Sequence, residues 1–533
     1  MDSTSWLSAS SFHANTILVA STCTLLPCLA YVIFQRLLNP LIRFPGPTLA
    51  KWTSYYMAYY DIWKGGGWIE QLQELHQLYG PVVRVGPNQL HFNDPQAYAD
   101  IYSSTSKFTK DPDLYGLFPA DDSLFTQTDP RKVSARKPLV APFFSRQMVL
   151  TLEETIQSTV DTLIRQLLKN HSSSQAPANL NLALRSATFD IITTYCFAKS
   201  INTVSYPNFH NDILVSMDTM LPAISLAKHF RIVKLIILNT PHWLTPILVP
   251  SMKHAVDQLK DVEDMVERVM KDSNSETGFS HRTVFHSLLD GAQSGGYGAR
   301  RKTHAITKRW LADEGAIFRF AGSDTGSSTC VIGCRYVLAD GEVLGKLVKE
   351  LDEAWPDKSV PARFELLEKL PYLTAVIKES LRLSPGVTSP LARIVGAGGA
   401  TIAGHFVPEG TSVAMANSFV HLNPDIFADP GRFKPERWLQ PDSISLEKHL
   451  VAFGKGSRSC IGTNLAWCEL YLIMGNIFRK LDLTPTTDVR SPYRARDYFV
   501  PLFDEDILHH DSDSRGAVKI DVMAKKERFE FVN

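Results

Sequence analysis

Ten residues near the C-terminal end constrain this chain most: Phe453-Gly454-Lys455-Gly456-Ser457-Arg458-Ser459-Cys460-Ile461-Gly462. The pattern Phe-x-x-Gly-x-Arg-x-Cys-x-Gly places one thiol in a turn suited to close approach. Gly454 and Gly456 permit the turn, and Gly462 lets backbone come near a flat cofactor with no Cβ in the way. Backbone N–H groups around the turn can bond the sulfur and tune its donor strength. Arg458 offers a charge-assisted donor to a carboxylate, and Phe453 closes the apolar side of the loop. A cysteine that is merely buried requires none of these fixed positions. The group they suit is haem, with Cys460 as thiolate ligand to the iron and Arg458 on a propionate. An axial thiolate pushes electron density onto iron and favours O–O cleavage once dioxygen is bound.

Residues 308–334 have the length and periodicity of a long buried helix containing Ala321-Gly322-Ser323-Asp324-Thr325. Gly322, beside Ala321, would let the helix lie against a planar cofactor at about 1 kcal/mol of helix propensity. The Thr325 hydroxyl can bond back to the carbonyl of Ala321 and bend the helix, opening its ladder beside the iron. Thr325 and Asp324 then make an alcohol–acid pair able to relay protons to oxygen. Further on, Glu379-Ser380-Leu381-Arg382 sets opposite charges at i and i+3 ahead of Pro385, and Phe433-Lys434-Pro435-Glu436-Arg437-Trp438 follows.

Together these segments resemble the cytochrome P-450 family of haem-thiolate monooxygenases over roughly residues 45–530, in particular microsomal fungal members of secondary metabolism. The resemblance implies a mostly α fold with a small β part (α+β) and a haem b ligated by Cys460. It implies a buried charge network of Glu379, Arg382 and Arg437, where an incomplete set would be costly. His421 either buttresses that network or is a satisfied core histidine. Arg458, Arg393 and Lys137 are the implied propionate partners. The family's usual Trp or His donor is replaced by Val133, which cannot donate, and Arg136 is an alternative to Lys137. A second departure is Gly326, where many members carry Thr or Ser. The stretches that the family uses for substrate are 114–125, 217–230, 319–324, 387–391 and 499–502. Phe118, Leu124, Phe125, Ile224, Val387, Phe499 and Val500 make them apolar, pointing to a hydrophobic substrate; the resemblance to fungal members of secondary metabolism implies a terpenoid, polyketide or alkaloid.

No flavin or nicotinamide fold accompanies the haem motif; Gly396-Ala397-Gly398-Gly399-Ala400 has the wrong spacing for a dinucleotide loop and reads as a turn. Electrons therefore come from a partner, an NADPH–cytochrome reductase or a cytochrome b-type donor, docking on the thiolate side where Lys455 lies. Two other functions remain open at this level: a haem-thiolate isomerase or dehydratase needing no O₂, and a non-catalytic membrane carrier of haem or lipid.

The N-terminus directs where this happens. No Asp, Glu, Lys or Arg occurs from Ser3 to Gln35, while Arg36, Arg43 and Lys51 follow. Such a stretch is just long enough to span a bilayer, and the basic flank leaves the globular part cytosolic. The expected division is a lumenal N-terminus and transmembrane anchor over 1–36, a proline-rich tether over 37–50 and the haem domain over 51–533, on the endoplasmic reticulum. The formal net charge is zero and no basic arm occurs, which gives no electrostatic case for nucleic acid. Seven cysteines without framework spacing argue against a disulfide scaffold. Cys330 and Cys334, one helical turn apart without a second Cys/His pair, read as core packing rather than zinc.

Overall fold

The computed structural model describes residues 39–172, 177–241, 243–271, 281–293, 306–384, 386–490, 495–503 and 519–524, together with scattered residues between 19 and 33. Most of the anchor expected over 1–36 lies outside the described residues. Among those described, no helix is long and apolar enough to cross a membrane.

Helices form most of the molecule. The longest, Lys308–Ala339, runs through the centre, capped by the Thr307 hydroxyl accepting from the Trp310 N–H. Leu180–Phe197 packs along it and is buried on nearly every side, which explains why its sequence shows no polar stripe. Glu153–Asn170, Pro371–Leu383 and Thr463–Lys480 complete the helical core. Cys330 and Cys334 are buried free thiols in that core, as expected.

The β part is small. Val82–Gly86 and Gln89–Phe92 form an antiparallel hairpin. Ser412–Ala414 joins parallel to Gln89–Phe92, and Arg393–Ile394 and then Thr109–Lys110 add antiparallel at the edge. Its own apolar cluster includes Leu41 and Phe44 from the proline-rich segment. That segment is docked on the sheet: the Arg84 N–H donates to the Pro45 carbonyl at 2.7 Å, and a helix already starts at Thr48. Gly398 and Gly399 take positive φ in the turn before Ala400–Ile402, so the glycine run is a turn.

The sheet cluster and the helical core meet around a cavity of about 1220 Å³, lined by both. Common small-molecule sites measure about 300–1,000 Å³. This one has room for a large planar group and a substrate together.

Candidate active site

The cysteine loop forms one wall of the cavity. Gly454 (φ +65°) and Gly456 (φ +72°) both sit in the left-handed region, and a Cβ on Gly456 would collide with the Tyr102 carbonyl. Phe453 lies partly buried against Trp467, and its carbonyl accepts from the Cys460 N–H at 2.8 Å. The Cys460 side chain lies deep in the fold but is exposed to the cavity. Burial pushes its thiol up, and the Gly462 N–H, the Thr463 hydroxyl and the Lys137 ammonium pull the other way. Gly462 caps the next helix; a Cβ there would only touch the sulfur at 3.9 Å.

The opposite wall is the central helix. Ile317, Phe318, Ala321, Gly322, Thr325, Gly326 and Thr329 all line the cavity, in the broad stripe that a 3.6-residue period produces. The Thr325 hydroxyl donates to the Ala321 carbonyl at 3.0 Å, as expected. Ser327 and Thr329 make the same i−4 bonds to Ser323 and Thr325, and Thr188 donates to the Ser323 carbonyl at 2.6 Å. The ladder nevertheless does not open: the helix is continuous from Lys308 to Ala339. A carbonyl has two lone pairs, so a hydroxyl can share it without displacing the backbone donor.

Two expectations at this wall need correction. Gly322 faces the helix Leu180–Phe197 with its missing Cβ, which would lie 2.5–2.9 Å from Ile192 side-chain atoms; it serves helix packing more than cofactor approach. Asp324 does not face the cavity but forms an ion pair with Arg185, which also holds Asp218 at 2.8 Å. Burial pushes the Asp324 carboxyl up, with the Arg185 charge opposing.

A group of cations closes one end. Arg393 and Lys137 are where the motifs put them: Arg393 donates to the Tyr115 hydroxyl at 2.8 Å and Lys137 to the Ser457 carbonyl at 2.7 Å. Arg458 is bonded to the Gln127 carbonyl. Arg136 is no substitute, because it pairs with Asp122 at 2.9 Å and lies over Trp310. Val133 lines the cavity as an apolar residue. The residue that sequence reasoning missed is Lys110. It is buried, directly opposite Arg393 in the sheet register, and 4.1 and 4.4 Å above the Tyr115 and Phe125 rings. Like charges directly opposite on a sheet are destabilising, and here Arg458 adds a third. Burial and these two guanidiniums hold the Lys110 ammonium well below its usual range. Its only sequence signal was a Lys in the Phe-Thr-Lys-Asp-Pro segment over 108–112.

A thiol open to the cavity, four cations at one end and a mainly apolar helix face opposite fit a haem with its two propionates. Cys460 would ligate, and Arg393, Arg458, Lys137 and Lys110 would hold the carboxylates. Without an anion there, the buried Lys110 and Arg393 would face each other uncompensated, with the half-buried Arg458 and Lys137 beside them.

The charge network forms as expected. Glu379, fully buried, accepts from Arg382 at 2.7 and 2.9 Å, from Arg437 at 3.1 Å, and from the Lys434 N–H and Trp438 indole at 2.9 Å each. His421 is both things considered for it. Its Nε2 accepts from the Val451 N–H at 2.9 Å, its carbonyl accepts from Arg382 at 2.8 Å, and burial drives its imidazole down to about 3.

The apolar end is lined by Leu124, Phe125, Ile192, Phe318, Val387, Leu391 and Phe499. Phe118, Ile224 and Val500 stand one layer behind, Phe118 4.9 Å from the Phe499 ring. Arg319 turns away to Gln258 and Asp261. Two buried carboxyls in the lining were missed, along with the more exposed Glu70 and Glu74. Glu314 accepts from the Leu124 N–H at 2.6 Å and the Trp310 indole at 2.8 Å, and burial pushes it up to about 7. Glu469 is the other.

The family model of Cytochrome P450 matches residues 45–501. The chain is 32% identical over 508 residues to cytochrome P450 monooxygenase flvC of Aspergillus flavus, covering 88% of this chain and 91% of that one. It is 31% identical to macH of Penicillium terrestre, covering 89% and 92%. It is 30% identical to TRI4 of Fusarium sporotrichioides, covering 88% and 89%. Both are likewise named cytochrome P450 monooxygenases.

Proposed function

This chain belongs to the cytochrome P450 family as a haem-thiolate monooxygenase, and we propose that it oxidises a hydrophobic scaffold of fungal secondary metabolism, a terpenoid, polyketide or alkaloid, with electrons from an NADPH reductase. The observation that carries this is Cys460 open to a cavity whose facing wall is apolar and aromatic around Thr325. Haem bound there supplies dioxygen activation, with the thiolate favouring O–O cleavage. The protein's part is placement. Phe125, Phe318 and Phe499 shed water from the substrate and orient it by shape. Thr325 presents a hydroxyl, held by the Ala321 carbonyl, as hydrogen-bond partner for oxygen. Asp324 stores charge one residue away under the control of Arg185.

The proposed setting is the endoplasmic reticulum membrane, with an anchor over 1–36 and the catalytic part cytosolic. A second apolar surface supports it. Ile232, Leu235 and Ile236 are exposed on the helix Arg231–Asn239, followed by Trp243, Ile247 and Leu248. Phe230, at its start, stacks on Tyr55, whose neighbours Trp52 and Trp63 are also exposed. Tyr59 and Tyr60 continue this surface into the cavity lining, so an apolar substrate can enter from the bilayer. Lys455, half-buried on the thiolate side, is a proposed contact for an acidic reductase.

Co-expression with a reductase in a host making candidate scaffolds, followed by product mass analysis, tests the reading. A gain of one oxygen mass that requires NADPH and O₂ is expected. Product formed under argon without NADPH would refute it.

A further inference from the structure

We propose that Glu314 selects a substrate that already carries a hydroxyl: its carboxylate accepts the O–H of an alcohol or phenol inside the apolar end of the cavity. The proposal rests on the reading above, a hydrophobic scaffold oxidised at a haem held by Cys460. Glu314 lies on the central helix, ahead of the 319–324 stretch expected to contact substrate. It is 1% exposed and lines the cavity. Both of its hydrogen bonds end on one oxygen, Oε1, from the Leu124 N–H at 2.6 Å and the Trp310 indole at 2.8 Å. They fix the orientation of the carboxyl and leave Oε2 without a hydrogen bond or ion pair among the described residues. The lining beside it is Leu124, Phe125, Ile317 and Phe318, which offer no side-chain donor. Lys110 is committed to the Phe125 carbonyl and Arg136 to Asp122.

A buried acceptor left unpaired is costly, and a leucine would fill this space without that cost. The donor has to come from outside the chain. In the empty cavity water can serve. A substrate that displaces such a water without replacing its bond loses affinity, and a site built to bond a hydroxyl rejects analogues lacking one for the same reason. The donor is a neutral one. Lys110 and Arg136 both act on Glu314 through their charge, with Asp313 opposing, and a cationic amine brought beside them would be repelled. At a rise of about 1.5 Å per residue, Glu314 stands about 16 Å along the helix from Thr325. The hydroxyl and the oxidised carbon are then at opposite ends of an extended scaffold. The reaction that supplies this substrate must therefore leave it hydroxylated.

Binding to the ferric holoenzyme tests this without turnover. The probes are alkylimidazoles with chains of about six to twelve carbons, which ligate the iron at one end and reach along the helix with the other. Each chain ends in hydroxyl, methoxy, methyl or dimethylammonium, and affinity is read from the Soret shift at about pH 8.5. There the carboxyl, which burial pushes up to about 7, is ionised and only accepts. At the best length, wild type should bind the hydroxyl probe at least fivefold tighter than the methoxy and methyl probes. Glu314→Gln keeps both Oε1 bonds through its carbonyl, and its new NH₂ donates to hydroxyl and methoxy alike, so their ratio should fall below twofold. A residue that only holds the Leu124 loop would change all four affinities together and leave that ratio where it was. Equal wild-type affinity for hydroxyl and methoxy probes at every length, or a ratio unmoved in Glu314→Gln, would overturn the proposal alone. Tightest binding of the dimethylammonium probe would overturn the assignment of an alcohol. A wild type whose reduced CO adduct lacks the thiolate signature would overturn the haem reading and this proposal with it.

Discussion

Glu379→Gln is the sharpest test of how this fold holds its haem-binding core. The carboxylate is fully buried and its two oxygens take five N–H donors, three from guanidiniums. Glutamine keeps one oxygen and turns the other position into a donor, so at least two of the five contacts become donor against donor. Hydrogen bonds to charged groups contribute about 1.5–3 kcal/mol each, which gives roughly 3–6 kcal/mol. Breaking a buried ion pair costs about 3–5 kcal/mol by a separate route. The estimates overlap near 4, and the remaining carbonyl partners keep the cost from rising further: His421, Pro430 and Arg432 for Arg382, Ala428 for Arg437. Unfolding entropy of about 2.1 cal/mol/K per residue over 533 residues amounts to about 1.1 kcal/mol per degree. The melting temperature should therefore fall by about 4 °C, read by calorimetry on the haem-loaded protein. Lys378→Ala, on the same helix but in a surface pair with Glu447, should move it by less than about 1 °C. A Glu379→Gln protein melting within 1 °C of wild type would refute the argument that the network is closed and buried.

Lys110→Met should act with opposite signs on two states. Haem-free protein should melt higher because the charge opposite Arg393 is gone, while haem loss to a scavenger protein should be about tenfold faster; unchanged loss would remove Lys110 from the propionate site. Gly322→Ala should cost about 1–3 kcal/mol by overpacking against Ile192 while leaving haem affinity near wild type, measured by thermal melts beside haem titration. Glu314→Gln should flatten stability against pH. The folded carboxyl titrates near 7 against 4.5 unfolded, so its contribution is complete below about 4.5 and is lost as pH rises to 7, about 3 kcal/mol in all at 1.36 kcal/mol per unit. Denaturation midpoints of variant and wild type that run parallel over pH 4.5–7 would contradict it.

What could be read from the sequence was what local pattern fixes. The glycine turn around Cys460 and the Glu379–Arg382 spacing each follow from a few neighbouring residues, and each stands as expected. Lys110 was invisible because its meaning comes from register. It becomes a propionate candidate only when the strand Thr109–Lys110 pairs with Arg393, 283 positions away in the sequence. Glu314 and Glu469 were hidden for a similar reason. An acid on an apolar helix face looks like a solvated residue until the fold shows that the face has no water outside it.

The central motif shows the remaining limit in its simplest form. Ala321 to Gly326 reads as one line of text, but each residue turns about 100° from the last. Thr325 lies in the cavity stripe with Ala321 and Thr329, four residues to either side. Asp324 therefore has to point about 100° to one side, where Arg185 takes it. Gly326 has to point about 100° to the other, where Glu469 waits at 3.3 Å from its absent side chain. Adjacent acid and alcohol on a straight helix cannot both aim at the same atom, so Asp324 and Thr325 do not meet in the cavity. Opening the helix by a turn would let both point inward, but the helix is continuous from Lys308 to Ala339. The geometry of one regular helix is thus what separates the acid of the motif from its alcohol.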